Sequence, residues 1–294
     1  MTHPHLTTFS IVACDLDEPA WGAAVASKFL AAGALVTWAR AGAGVIATQA
    51  FARVSFGPRG LDLMAGGLDA QATLDRLLAD DPEREHRQVG CVDAQGQAAA
   101  FTGGDCFDWA GHRTGAGYTC QGNILTGPEP LNAIAHAFET TSSDLAGRLM
   151  AALLAGDTAG GDRRGKQSAA LVVVKPDGGY GGDHDRWLDL RVDDDPDPVN
   201  RLAGLLELHR LYFGKTAQEN LLPIKPALAS ELQGVLARRG YYDGPVTGTW
   251  DEASIQAFWA FVGTENLEER WTPQDAHRLD PVILTFIRER FGDA

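Results

Sequence analysis

The chain has 294 residues, of which 45% are hydrophobic, and a formal net charge of −14. That length allows one large domain or a large and a small one, and the hydrophobic fraction is enough for a full core. The acidity excludes the basic face that nucleic acid or an anionic membrane surface requires, and no apolar run is long enough to span a bilayer.

The opening Met1-Thr2-His3-Pro4-His5 has neither a basic n-region nor an apolar h-region, so the expectation is a cytoplasmic protein. Cys14, Cys91, Cys106 and Cys120 form no CxxC pair and have no histidine at metal-ligand spacing. Buried free thiols are expected, with a Cys106–Cys120 disulfide left open because the two flank a glycine-rich stretch. No metal and no cofactor is expected.

Alternating β-formers predict a first strand over 8–14, a turn over 15–19 and a returning strand over 21–28, which together make a hairpin. Alanines and glycines in the second strand predict close packing against another layer. A strand follows over 42–50, then a helix from Gly57 broken at Gly66-Gly67, then a helix capped by Asp69 and stopped at Asp80-Asp81-Pro82. Residues 88–93 and 98–102 are strands around an Ala94–Gln97 turn. Residues 109–123 are expected to be glycine-rich and irregular. Helices are expected over 130–138, 144–154 and 198–212, with strands over 167–174 and 186–192. Strands, then helices, then strands predict α+β layers rather than a doubly wound parallel sheet.

The character changes after Lys215. Residues 216–226 carry two prolines and little periodicity, so a linker is expected. A small all-α domain follows over 227–294: a helix with Leu228, Leu232, Val235 and Leu236 on one face, a tight 241–250 loop, and a helix capped by Asp251.

Several segments agree, in order, with a known family. They are Thr8-Phe9-Ser10-Ile11-Val12-Ala13, Ser27-Lys28-Phe29, Ala47-Thr48-Gln49, Tyr118-Thr119-Cys120-Gln121-Gly122-Asn123-Ile124-Leu125, and the run from Gly160 through Asp162-Arg163-Arg164 to Ser168-Ala169. From Thr8 to about Lys215 the chain resembles the domain of unknown function 1028 family, which is grouped with the N-terminal-nucleophile (Ntn) hydrolase-like proteins. The resemblance implies a four-layer αββα sandwich over 8–215, preceded by an extension over 1–7. The 227–294 segment, with Tyr241-Tyr242-Asp243-Gly244-Pro245-Val246-Thr247-Gly248-Thr249-Trp250, resembles the peptidoglycan-binding-like three-helix modules.

By resemblance, Thr8 is the nucleophile of an amidohydrolase acting on a C–N bond of a small amide or acyl-amino substrate. The residue's own α-amine would be the base, because its pKa of roughly 7.7–8 lies near working pH. Here the pattern departs, since seven residues precede Thr8 and lock that amine in a peptide bond. Cleavage of Thr7–Thr8, removal of Met1 to expose Thr2, a mis-assigned start, or a retained extension with another base or no such chemistry all stay open. Lys28 is a candidate to lower the amine's pKa, and Asn123 a candidate oxyanion donor. Thr48, Gln49, His112, Asp162, Arg163, Arg164 and Ser168 are candidate substrate-binding residues, each with a structural alternative. Strand alternation puts Ser27 and Lys28 on opposite faces, so at most one faces the cleft. His184 between Asp183 and Asp185 reads as a solvated loop rather than a metal site.

The alternative is a non-catalytic protein that keeps the Ntn fold and binds a small ligand or a cell-wall fragment. Tyr241, Tyr242 and Trp250 are the contact candidates of the C-terminal module, with simple core packing as their alternative. A homo-oligomer is expected on general grounds.

Overall fold

The computed structural model describes residues 8–292, so the extension expected over 1–7 lies outside the described residues. The chain divides into two compact units, Met1–Leu205 and Leu206–Ala294.

In the first unit β1 (Thr8–Asp15) and β2 (Ala20–Ser27) form the expected hairpin, with Thr8 opposite Ser27. A short helix α1 (Gly33–Val36) and β3 (Thr37–Arg40) follow, in a segment left unassigned by sequence patterning. Then come β4 (Gly44–Ala50), α2 (Phe56–Ala65), α3 (Ala70–Ala79), β5 (Arg87–Asp93) and β6 (Ala98–Thr102). The Asp69 side chain accepts from the Ala72 N–H, which caps α3. β7 (Gly111–Gly115) and β8 (Tyr118–Asn123) lead to α4 (Glu129–Thr140), α5 (Leu145–Thr158), β9 (Ser168–Val174) and β10 (Arg186–Val192), and the chain passes from the first unit into the second within α6 (Pro198–Phe213).

The strands form a six-stranded sheet in the order β10-β9-β2-β1-β8-β7 and a four-stranded sheet in the order β3-β4-β5-β6, antiparallel throughout. Helix α5 packs on β1, β2 and β9, and α2 and α3 pack on the four-stranded sheet, while β1 and β8 face β4 and β5. The small residues of β2 answer to this packing: a Cβ on Gly22 would lie 2.7 Å from Leu149 of α5. Val12, Trp21, Val25, Val45, Val92 and Val172 form the apolar part of the space between the sheets. Phe56, Leu61, Leu74 and Leu77 bury the helices against Ile46, Val89 and Cys91.

The expectation that 109–123 is irregular is corrected, because β7 and β8 lie there and β8 pairs with β1. Its composition reads as loop because one face of β8 carries Thr119, Gln121 and Asn123, all buried between sheets. Its glycines are packing requirements; a Cβ on Gly122 would lie 2.5 Å from Leu125. Among the described residues all four cysteines are free thiols, so the Cys106–Cys120 bridge does not form. No helix is long and apolar enough to cross a membrane among the described residues.

In the second unit α7 (Pro226–Arg238), α8 (Glu252–Thr264) and α9 (Pro281–Phe291) surround Leu232, Leu236, Phe258, Phe261, Trp271 and Ile283. β11 (Leu222–Pro223) pairs with β12 (Arg278–Leu279), and Leu222 and Ile224 pack against this core, so part of the segment expected to be a linker is built into the unit. Gln233 ties down the 241–250 loop, accepting from the Thr247 and Gly248 N–H groups and donating to Thr249 O and Ser254 Oγ. Tyr242 and Trp250 are buried, and Trp250 Nε1 donates to Ala276 O. Tyr241 is half-buried, edge-on to Phe261. Their part is core packing rather than exposed contact, because each ring finds an apolar neighbour and the two polar tips of Tyr242 and Trp250 a carbonyl.

A Cβ on Gly90 of β5 would lie 2.1 Å from Gln121 Oε1 on the facing sheet. Gly90→Ala should therefore destabilise the protein by about 1–3 kcal/mol through overpacking. Urea unfolding measures this, and an unchanged midpoint would contradict the close approach of the sheets at that point.

Candidate functional site

Alternation along each strand decides what enters the space between the sheets. On β1 the inward residues are Thr8, Ser10, Val12 and Cys14, polar at the Thr8 end and apolar at the other. β4 contributes Gln49, β5 Gln88, β8 Thr119, Gln121 and Asn123, and β2 Ser27, all buried. The apolar end of the gap is a core, and the polar end is an uncharged hydrogen-bonded layer.

The layer is closely interlocked. Ser10 Oγ donates to Gln49 Oε1 at 2.7 Å and accepts from Gln121 Nε2 at 2.6 Å. Gln49 Nε2 donates to Gln88 Oε1 at 2.8 Å and lies 3.2 Å from Thr8 O. Gln88 Oε1 also accepts from Asn123 Nδ2 at 3.0 Å, and Gln88 Nε2 donates to Gly122 O at 2.8 Å, with Gly111 O and Thr102 Oγ1 each at 3.0 Å. Thr102 Oγ1 in turn lies 2.9 Å from His112 Nδ1. The set thus links His112, at the protein surface, to the strand that carries Thr8.

Thr8 is fully buried between Ser27 of β2 and Asn123 of β8 in strand register, and its hydroxyl donates to Ser27 Oγ at 3.2 Å. Lys28 is not brought to Thr8. It is exposed, and its ammonium donates to Lys166 O at 3.2 Å, since alternation turns Ser27 inward and Lys28 outward. Asp162 is buried and accepts from the Lys28 N–H at 2.9 Å and from Arg164 Nη2 at 3.0 Å, while Arg164 Nη2 reaches Lys28 O. These two residues clamp the end of β2. Ser168 donates to Phe29 O and accepts from the Ala32 N–H, which holds the loop after β2. Arg163 is exposed, with its N–H on Ile124 O. Thr48 points to the opposite face of β4 from Gln49, with its hydroxyl 3.4 Å from Arg53 O.

Ala50 (φ 64°), the last residue of β4, and Ile124 (φ 49°), just past β8, sit in the left-handed region. For a β-branched side chain such a conformation is costly, and surrounding bonds have to impose it. The Ile124 N–H donates to Phe107 O and its carbonyl accepts from Arg163. Next to Ala50, the buried Arg87 donates Nη1 to Phe51 O at 2.6 Å and Nε to Asp81 Oδ2 at 2.8 Å. Burial alone would raise the Asp81 carboxyl, but the Arg87 guanidinium and the Glu83 N–H outweigh it and hold the group below its ordinary value.

Ser10, Gln88, Gln121, Thr102 and Arg87 were not singled out from sequence. The available signal was Gln88 and Gln121 at alternate positions with buried apolar residues, Gln88-Val89 and Cys120-Gln121-Gly122, which marks a strand buried on both faces. Among the described residues no three His, Cys, Asp or Glu side chains are placed to hold a metal ion.

Residues 8–202 match the model of a "Family of unknown function (DUF1028)", and residues 212–287 match that of a "Putative peptidoglycan binding domain". The chain is similar to a Silicibacter pomeroyi protein of known crystal structure, described with the same DUF1028 family, at 32% identity and a TM-score of 0.64, over 72% of this chain and 88% of that one. No curated protein matches.

Gln88→Leu removes the partner of several buried groups, each worth roughly 1–3 kcal/mol when left unpaired. Its unfolding free energy should fall by at least about 2 kcal/mol in urea titration; a change within about 0.5 kcal/mol, as for an exposed site, would contradict the network. Desolvation of part of its ring lowers the pKa of His112 below the ordinary histidine value. The unfolded chain then takes up the proton first, so the contribution is intact above roughly pH 6.5 and is lost as pH falls from there toward the folded value. Thermal unfolding between pH 7.5 and 5 should show a smaller acid-side loss for His112→Gln than for the parent chain, and equal losses would exclude this role.

Proposed function

The chain belongs to the DUF1028 family of unknown function, and from that premise we propose that its larger unit is an Ntn-type amidohydrolase with Thr8 as nucleophile. The substrate class is a small amide or acyl-amino compound cleaved at a C–N bond. The observation that carries the reading is the position of Thr8. It heads a central strand of the six-stranded sheet, flanked by Ser27 and Asn123, above a neutral layer of amides and hydroxyls.

The pairing of α4 and α5 with one sheet and α2 and α3 with the other, with the sheets facing each other, supports reading 8–215 as an αββα sandwich of this type. On this reading 227–294 is a separate helical module that contacts a partner or a peptidoglycan fragment, in keeping with the family match there.

The chemistry follows from the groups present. Once the Thr7–Thr8 bond is cleaved, the freed α-amine takes the Thr8 hydroxyl proton as Oγ attacks the amide carbon. Asn123 Nδ2 gives one N–H to Gln88 Oε1 and has a second for the developing oxyanion. Collapse of the intermediate expels the amine, which takes the proton from the α-ammonium. Water then attacks the Thr8 ester and releases the acid. Gln49, through its bond to Thr8 O, holds the nucleophile's backbone in place. Lys28, Asp162, Arg164 and Ser168 shape the cleft by fixing the end of β2.

The second reading is a binding protein without turnover. The observation favouring it is that the encoded chain blocks the Thr8 amine.

Intact-mass measurement of the purified chain separates the two. The catalytic reading expects loss of Met1 to Thr7, turnover on a panel of small amides, and a drop of at least ~10³-fold for Thr8→Ala with partial retention by Thr8→Ser. A full-length mass together with turnover indifferent to Thr8→Ala would overturn it. A full-length mass with no turnover but ligand-dependent thermal stabilisation would establish the binding reading.

A further inference from the structure

The six-stranded sheet ends at β10 and the four-stranded sheet at β3, and the gap between the sheets opens between these two edge strands. A cavity of about 190 Å³ lies there. A dry cavity of about 150 Å³ is enough for a benzene ring, so the space admits a compact small molecule. Its inner wall is apolar: Val172 belongs to the core between the sheets, and Ala39 packs against that core. In the sheet β10 is separated from β1 by β9 and β2, so the cavity is distinct from the polar layer around Thr8.

The outer wall is charged, and the backbone puts the charges there. In a regular strand Arg186 and Asp189 would point to opposite faces of the sheet. A β-bulge between Arg186 and Leu188 breaks the alternation, so that Arg186 stands opposite Val174, Asp189 opposite Val172 and Arg191 opposite Ala170. All three partners belong to the core between the sheets, and directly opposed residues share a face, so all three charged residues face the gap. Arg186 Nη1 donates to Asp189 Oδ2 at 3.2 Å, and Arg191 Nε lies 3.4 Å from Asp189 Oδ1. Two guanidiniums thus share one carboxylate, the only acid in the cavity lining among the described residues, and one positive charge is left over. The Arg191 stem is held against α1, where a Cβ on Gly33 would lie 3.3 Å from its Cδ. Its Nη1 and Nη2 groups have no partner among the described residues.

We propose that this cavity binds a small monocarboxylate, with its carboxylate on the Arg191 and Arg186 guanidiniums and a compact apolar body against Ala39 and Val172. Paired guanidinium N–H groups match the two oxygens of a carboxylate. The charge selects a monoanion: one positive charge remains after Asp189, and a dianion would set an excess negative charge beside that residue. The apolar inner wall selects a hydrocarbon body over a bare inorganic anion. The site stands whether or not Thr8 is a nucleophile.

Fluorine NMR titration of the full chain tests this with p-fluorobenzoate, p-fluorobenzyl alcohol, p-fluorobenzylammonium and p-fluorophenyl phosphate at equal ionic strength. The benzoate should bind saturably, about tenfold or more tightly than the alcohol and the ammonium, and no less tightly than the phosphate. Arg191→Gln should raise its Kd about tenfold, and Arg186→Gln, which removes the more exposed guanidinium, several-fold. Ala34 is exposed and lines the cavity, so Ala34→Phe should abolish binding by filling the space while leaving the melting temperature within a few degrees of the parent. Tighter binding of the phosphate, equal binding of the alcohol or the ammonium, absence of saturable binding, or undiminished affinity in Arg191→Gln or Ala34→Phe would each overturn the assignment. Thr8→Ala should leave the Kd unchanged, so failure of the catalytic reading and failure of this one give different results.

Discussion

The structure depends on a burial problem solved between two sheets. Ser10, Gln49, Gln88, Gln121 and Asn123 lie fully or almost fully away from water, where an unpaired amide or hydroxyl would cost about 1–3 kcal/mol. They can stay there because each finds its partners in the others and in the Thr8, Gly111 and Gly122 carbonyls. The layer carries no charge, so it avoids the much larger desolvation penalty of buried ions. Because the partners come from β1, β4, β5 and β8 at once, the register of both sheets is coupled to it. The same coupling holds the Thr8 end of β1 in one geometry, as a site on strands requires.

This layer also explains which parts of the fold were legible in the sequence. The β1–β2 hairpin, the caps at Asp69 and Asp251, and the apolar β9 were visible because a single face or a single cap determined them. β8 was not. Its polar residues and its glycines are those of a loop, and only the facing sheet makes them a strand. The segment Gly33–Arg40 carried too short a pattern for either periodicity to register.

The candidate site was legible in part. Thr8, Gln49 and Asn123 do meet, through Gln88, which no local pattern marked. Lys28 looked suited to catalysis because it is charged and follows the strand, but alternation placed Ser27 inward in its stead. Asp162, Arg164 and Ser168 meet the chain at Lys28, Phe29 and Ala32, where they act as clasps on backbone groups. In the second unit the aromatic residues of the 241–250 loop looked like contact surface, yet a unit this small needs Tyr242 and Trp250 for its core.

The central claim is that Thr8 Oγ is the atom that attacks the substrate. The most direct test is to acylate the purified protein with a small β-lactone and map the modified residue by peptide fragmentation. The account predicts a stoichiometric ester on Thr8 of a chain that begins at that residue. Acylation at another side chain, with turnover lost in step, would contradict it.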